Sequence, residues 1–364
     1  MSVSECGWKP NWEETKRHFT DWWNREGLVL GMWSAPPSDR PRLDLPHPRK
    51  PATITEAYTD NDWRARNIHH KLSRSAFPAD ILPIADTNMG PGSLATFIGA
   101  DPHFTRETVW YEPSIRDFDT PESVPPLRFD PENRWWRLTE ALLRKSRELA
   151  GNNYLVGCPD LVENLDILAA LRSPQTLLLD MIERPEWVCG KAKEINQVWF
   201  EAYNRIYDIT KLSDGSSGFW AFDLWGSGKT AKVQCDLSAM FSPAMFETMV
   251  LPALTEQCEW LDHSMYHLDG TQALCHLDHL LGIDALDAIE WTPQTGIETG
   301  GSPRWYDLYR RILNAGKSVQ VINVQREEVI PLLDAIGGRG VYVMTDFRNE
   351  NEAERMMLQV EQFR

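Results

Sequence analysis

A chain of 364 residues with 42 % hydrophobic and 25 % charged side chains can bury a sizeable core and is ordinary in make-up for a globular protein. Its formal charge of −16, with Lys and Arg nowhere gathered into a stripe, excludes the basic face that nucleic-acid phosphates require. No run of about 18 apolar residues occurs, and MSVSECGWKPNWEETKRHF carries no apolar signal core, so a cytoplasmic protein without a membrane span is expected. Six cysteines without a CxxC pair are read as reduced thiols. The sixteen tryptophans serve mainly as core, and a surplus of rigid flat side chains also suits a pocket for a planar or methylated ligand.

In chain order, Trp12, Phe19 and Trp23 share one face of a helix that stops at Gly27, and LVLGMW (28–33) reads as the first strand. A Pro- and Arg-rich loop follows, then a helix over 55–75 and the strand DILPIA (80–85), ending at Asp86. Residues 87–131 show no clear period and are expected to form an insertion or lid. A helix at 132–150 leads to NYLVGCP, to helices near 165–182 and 185–207 split at Arg184-Pro185, and to the strand GFWAFDLW. After an irregular stretch come a helix near 243–262 and SMYHLDG, then LDAIEW, SVQVINV and GVYVMTD, paired with helices at 303–315, 326–337 and 350–361. Eight strands alternating with helices predict an α/β fold, a single (β/α)8 TIM barrel domain over 1–364 with an N-terminal helical elaboration.

Ligands in such folds lie at the carboxyl ends of the strands, so the polar residues there are the candidates. They are Asp86, Asp160, Asp223, His267 with Asp269, Glu290, Gln325, and Thr345 with Asp346. His267 and Asp269, two apart on a strand, point to one side and suit metal binding or acid–base work. Asp223 ends an apolar run, where burial raises a carboxyl's pKa unless a partner compensates. Glu163, with Asn164, looks toward the same mouth as Asp160, and Trp33, Trp225 and Trp291 are candidate walls. His276 and His279 are read as structural. The string GSGKT at 226–230 is not a phosphate loop, because Asp223 stands where that motif requires Gly.

These segments resemble the uroporphyrinogen decarboxylase superfamily, which includes cobalamin-linked methyltransferases. The likeness covers most of the chain and is carried by LVGCPDLVENLD, RPEWV, FDLWGSG, FSPAMFETMVLPAL and HLDG. It implies the same barrel. The decarboxylase residues transfer poorly: GMWSAPPSDR lacks the Arg-containing glycine turn, the catalytic Asp falls beside Thr87 with Asp86 one position away, and Leu165 and Leu224 replace a Tyr and a Ser. The methyltransferase branch holds zinc with His-x-Cys and a later Cys; here His267 matches, Asp269 replaces the first Cys, and Thr345-Asp346 stand at the second. The resemblance therefore implies a harder divalent metal on His267, Asp269 and Asp346 rather than a thiolate zinc site. It also implies methyl transfer between a small molecule and a corrinoid supplied by a partner protein, with Asp223 and Glu163 orienting the substrate. Two alternatives stand beside it: a carboxy-lyase on another small acid, and a non-catalytic barrel that binds a metabolite or corrinoid.

Overall fold

The computed structural model describes residues 6–116 and 120–364. The strands are β1 (Leu28–Gly31), β2 (Ile84–Ala85), β3 (Asp101–Phe104), β4 (Val109–Glu112), β5 (Leu155–Val156), β6 (Ser217–Phe219), β7 (Leu224–Gly226), β8 (Thr230–Gln234), β9 (His263–Asp269), β10 (Ala288–Thr292), β11 (Ser318–Val324) and β12 (Val341–Thr345). Six form one parallel sheet in the order β1-β12-β11-β10-β9-β8. β2 pairs in parallel with β5. The Asp80 amide donates to Leu30 O at 3.0 Å, and this bond tethers the segment leading into β2 to β1. Helices return the chain between β8, β9, β10, β11 and β12 of the parallel sheet, so the fold is the expected α/β barrel. No helix among the described residues is long and apolar enough to cross a membrane.

One wall strand differs from the expectation. GFWAFDLW is not one continuous barrel strand: Phe219 at the end of β6 bridges in parallel to Cys158 just beyond β5, and the chain then reverses through Ala221–Asp223 into the antiparallel hairpin β6–β7. The reversal puts Phe222 (φ 64°) and Asp223 (φ 49°) in the left-handed region, which costs non-glycine residues about 1 kcal/mol or more each. β6 bonds to β5 through Cys158 and Gly218, so the hairpin fills the space between β5 and β8. The strand in its place is β8, TAKVQ, which lies in the stretch read as irregular. Lys232 and Gln234 alternate along it and face inward, so it lacks the apolar run by which a buried strand is recognised. The GSGKT turn joins the hairpin to β8, and the Lys229 amide in it is already taken by the Asp262 carboxylate at 2.8 Å.

The helix Trp12–Trp23 plugs the amino end of the barrel. Trp22 Nε1 donates to Val319 O at 3.3 Å, Ser318 Oγ donates back to Trp22 O, and Phe19 packs edge-on against Tyr342. Trp225 belongs to this plug: Trp23 Nε1 donates to its carbonyl at 2.9 Å and Trp12 packs against its ring. The range 87–131 holds the helix Leu94–Phe97 and the β3–β4 hairpin, with Phe104 stacked on Tyr58 at 4.5 Å; residues 117–119 lie outside the described residues.

The seam between β1 and β2 is locked by a buried charge. Asp80, fully buried, accepts from the Leu30 amide (2.9 Å) and pairs with His18 Nδ1 (2.7 Å) and Arg364 (2.9 Å), while Lys9 Nζ donates to Ala79 O beside it. Burial alone raises this carboxyl, but His18, Arg364 and Lys9 outweigh it and hold Asp80 below the ordinary Asp value. The folded state therefore releases this proton more readily than the unfolded state. The stabilisation is complete above the ordinary Asp value, near pH 4, and is lost as pH falls through the depressed folded value. Arg364→Ala leaves Asp80 short of a buried partner and is expected to cost about 3–5 kcal/mol in urea unfolding at pH 7. Its acid-unfolding midpoint is expected at higher pH than wild type; coincident acid transitions would refute the assignment.

Candidate functional site

Strand register lines up one row of inward-facing polar side chains. Gln234 pairs with His267, His267 with Glu290, Glu290 with Gln320, and Gln320 with Tyr342, across five adjacent strands. Residues paired this way point to the same face, so the row crosses the barrel interior as a polar belt. Its centre is His267. Its Nδ1 is bound by Glu290 Oε2 at 2.5 Å, and Glu290 Oε1 accepts from Thr292 Oγ1 at 2.8 Å. Burial disfavours the charged imidazole, yet Glu290 overcomes this and raises His267. Burial likewise raises Glu290 against the pull of His267, so a proton is retained between the two. This contact fixes the ring and leaves Nε2 as its outward nitrogen.

Beyond the belt, Asp236, His267 and Asp269 offer ligand atoms that all lie within 4.8 Å of one another. Two donors about 2.1 Å from one ion are at most about 4.2 Å apart, so the group would close by about half an ångström around a metal. One imidazole, two carboxylates and a carboxylate behind the imidazole fit a divalent ion with open positions. The structure groups Asp236, which follows β8, with His267 and Asp269; Asp346, the third ligand expected from the resemblance, lies in a separate recess with Thr345 and Gln325.

Asp236 is held by a network that the sequence showed only in part. Gln234 Nε2 donates to it at 2.8 Å, and Asp166 accepts the Asp236 and Leu237 amides at 2.7 and 2.8 Å. Burial, and then the neighbouring Asp236, push the Asp166 carboxyl up to about 7. Buried Lys232 pairs with Asp160 at 2.7 Å, and Glu163 accepts the Gln234 amide. Burial pushes Glu163 well above the usual carboxylate range, with Asp160 and Asp166 adding to it. Asp160 and Glu163 thus lie beside the belt. Lys232, Gln234 and Asp236 were missed, although polar residues at every second position of KVQCD were the available signal.

Asp223 sits not at a strand end but at the tip of the β6–β7 hairpin inside the barrel. Gln320 Nε2 donates to Phe222 O (2.8 Å) and Tyr342 Oη to Asp223 O (3.2 Å). Tyr342 crosses so close to β1 that a Cβ on Gly31 would lie 2.6 Å from its hydroxyl, which is why glycine stands there. The Phe222 ring lies 4.8 Å from His267 and 5.1 Å from Trp33. Burial, reinforced by Asp86, pushes the Asp223 carboxyl well above its ordinary value, and Asp86 is itself raised by burial despite Arg64 nearby. Asp223 is thereby favoured in its neutral, proton-donating form. Trp291 alternates with Glu290 and faces outward onto Trp305 (5.0 Å), and Trp225 lies at the opposite end, so Trp33 is the tryptophan of the three that walls the mouth. His276 is buried, bound to Ser238 O and stacked on Phe246.

No protein-family model matches this chain, and no curated protein matches it. Among solved structures, a B12-independent methionine synthase from Shewanella sp. W3-18-1, in complex with selenomethionine, is similar over 92 % of this chain and 98 % of that one. The identity is 10 % and the TM-score 0.47, a likeness that says nothing about activity here.

Titration calorimetry with Mn²⁺ or Zn²⁺ is expected to show one site, lost in His267→Ala and in Asp236→Asn. Glu290→Gln, which leaves all three ligands in place, is expected to weaken it about 10–100-fold. Unchanged affinity in the ligand variants would remove the site.

Proposed function

We propose that this protein is an enzyme acting on a small molecule at the carboxyl end of the barrel, and that its reaction is methyl transfer from that molecule. The observation supporting this most is the His267 imidazole, held by Glu290 and Thr292 and flanked by Asp236 and Asp269. A divalent ion on these groups would supply Lewis acidity toward an oxygen or nitrogen of the substrate. With no thiolate among the donors, the set favours the methyl donor over a thiol acceptor.

The chain's own residues account for the rest. Asp223, neutral through burial, donates its proton to the oxygen or nitrogen that loses the methyl carbon, while that carbon forms its new bond to an acceptor. Reduced corrinoid on a partner protein is the acceptor class that the sequence resemblance suggests. Phe222 and Trp33 wall the reacting group and keep water from it. Asp86 lies close enough to exert a charge on Asp223 and keep it protonated. The same pair supports a second reading, a carboxy-lyase in which Asp223 protonates the carbanion left by carbon dioxide.

With a methyl-accepting corrinoid protein and a panel of methoxy compounds and methylamines, demethylation is expected to require added divalent metal after chelation. Asp223→Asn is expected to lower kcat about 10²–10⁴-fold. Carbon dioxide release without corrinoid would favour the second reading; intact binding of every compound in both assays would exclude both.

A further inference from the structure

A second recess opens beside the metal-ligating group, at the carboxyl ends of β11 and β12. It is a cavity of about 390 Å³ whose lining includes Trp33, Asn323, Arg326, Thr345, Asp346 and Arg348. Trp33 joins it to the reaction site, since its ring lies against Phe222, which in turn lies against His267. The space suits a small molecule.

Its lining carries both signs of charge. Arg326 and Arg348 converge on the buried Glu352 carboxylate: Arg326 Nη1 lies 2.7 Å from Oε2, and Arg348 Nε donates to Oε1 at 2.7 Å. Glu352 holds both guanidiniums in place and further accepts the Arg348 amide, so two cations share one anion. Each guanidinium keeps donors to spare, since five N–H groups radiate from it. The exposed Asp346 carboxylate makes no ion pair among the described residues, and Trp33 lines the same cavity. Thr345, 4 % exposed and also in the lining, has a buried hydroxyl without a hydrogen-bond partner among the described residues. The register shift between Val321 and Val324 and a left-handed Asn323 (φ 54°) accompany the end of β11, where a bulge re-aims side chains.

A simple anion would meet Asp346, and a simple cation would meet the two arginines. We propose that this recess binds a zwitterion of the amino-acid class, with its carboxylate on Arg326 and Arg348 and its alkylated ammonium on Asp346 and the face of Trp33. Guanidinium forks recognise carboxylates, and aromatic faces with a nearby carboxylate recognise alkylammonium groups. This inference rests on the methyl-transfer reading only in naming the donor: an N-methylated zwitterion seated here would present its N-methyl group toward Phe222.

The test is direct binding to the full chain, by calorimetry, of N,N-dimethylglycine and its trimethylated betaine, compared with pivalate and tetramethylammonium. Each zwitterion is expected to bind at least tenfold more tightly than either half-ligand. Asp346→Asn is expected to reduce zwitterion affinity about tenfold and leave pivalate unchanged or tighter, whereas Arg326→Gln is expected to weaken zwitterion and pivalate alike. Thermal melts matching wild type would establish that both variants fold. Equal affinity for the half-ligands, insensitivity to Asp346→Asn, or no zwitterion binding at millimolar concentration would each overturn the proposal. Tight binding with no demethylation would sink the methyl-transfer reading and leave this one standing.

Discussion

A row of polar side chains inside a barrel must find partners there, because no water-filled exterior reaches it, and this requirement shapes the rest of the molecule. Gln320 and Tyr342 would be costly if orphaned. Their donors, Gln320 Nε2 and Tyr342 Oη, are met by the backbone carbonyls of Phe222 and Asp223, which the β6–β7 hairpin brings to them. The same insertion sets Phe222 over His267 and Asp223 beside Asp86. The left-handed strain at the hairpin tip is therefore compensated by two hydrogen bonds and places an aromatic wall and an acid in the mouth.

The electrostatics of the mouth divide by partner. Asp160 pairs with the buried Lys232 ammonium. Where burial outweighs the nearby cation, as for Asp223 beside Lys71 and Glu163 beside Lys232, the neutral form is favoured. Asp80, at the β1–β2 seam, is the counter-example: no less buried than these, it is held ionised by three partners and serves the wall instead of the chemistry. Burial alone therefore does not mark a reacting group. The sign and number of the neighbours do.

The (β/α) alternation was legible because a strand buried on both faces writes itself as an apolar run: LVLG, AIEWT and SVQVINV all appear where expected. GFWAFDLW has the same texture, but it breaks after Phe219 and folds back as a hairpin, and an apolar run alone does not separate a continuous strand from a folded-back one. The converse failure is β8, whose inward residues are Lys and Gln. Missing it meant missing Asp236, and so the third member of the group around His267 and Asp269. Trp225 and Trp291 were read as walls from their nearness to strand ends, yet one faces the amino-end plug and the other a helix.

The sequence by itself determined the class of fold, the strands carrying His267 and Glu290, and the pairing of His267 with Asp269 on one side of a strand. These follow from short-range periodicity, which the chain carries locally. Only the tertiary structure decided that Glu290 orients His267, that Asp236 and not Asp346 joins the group, and that Asp223 enters from a hairpin. Those depend on which strands become neighbours and in what register, and hydrogen bonds between residues 23 to 119 positions apart in the chain leave no local trace.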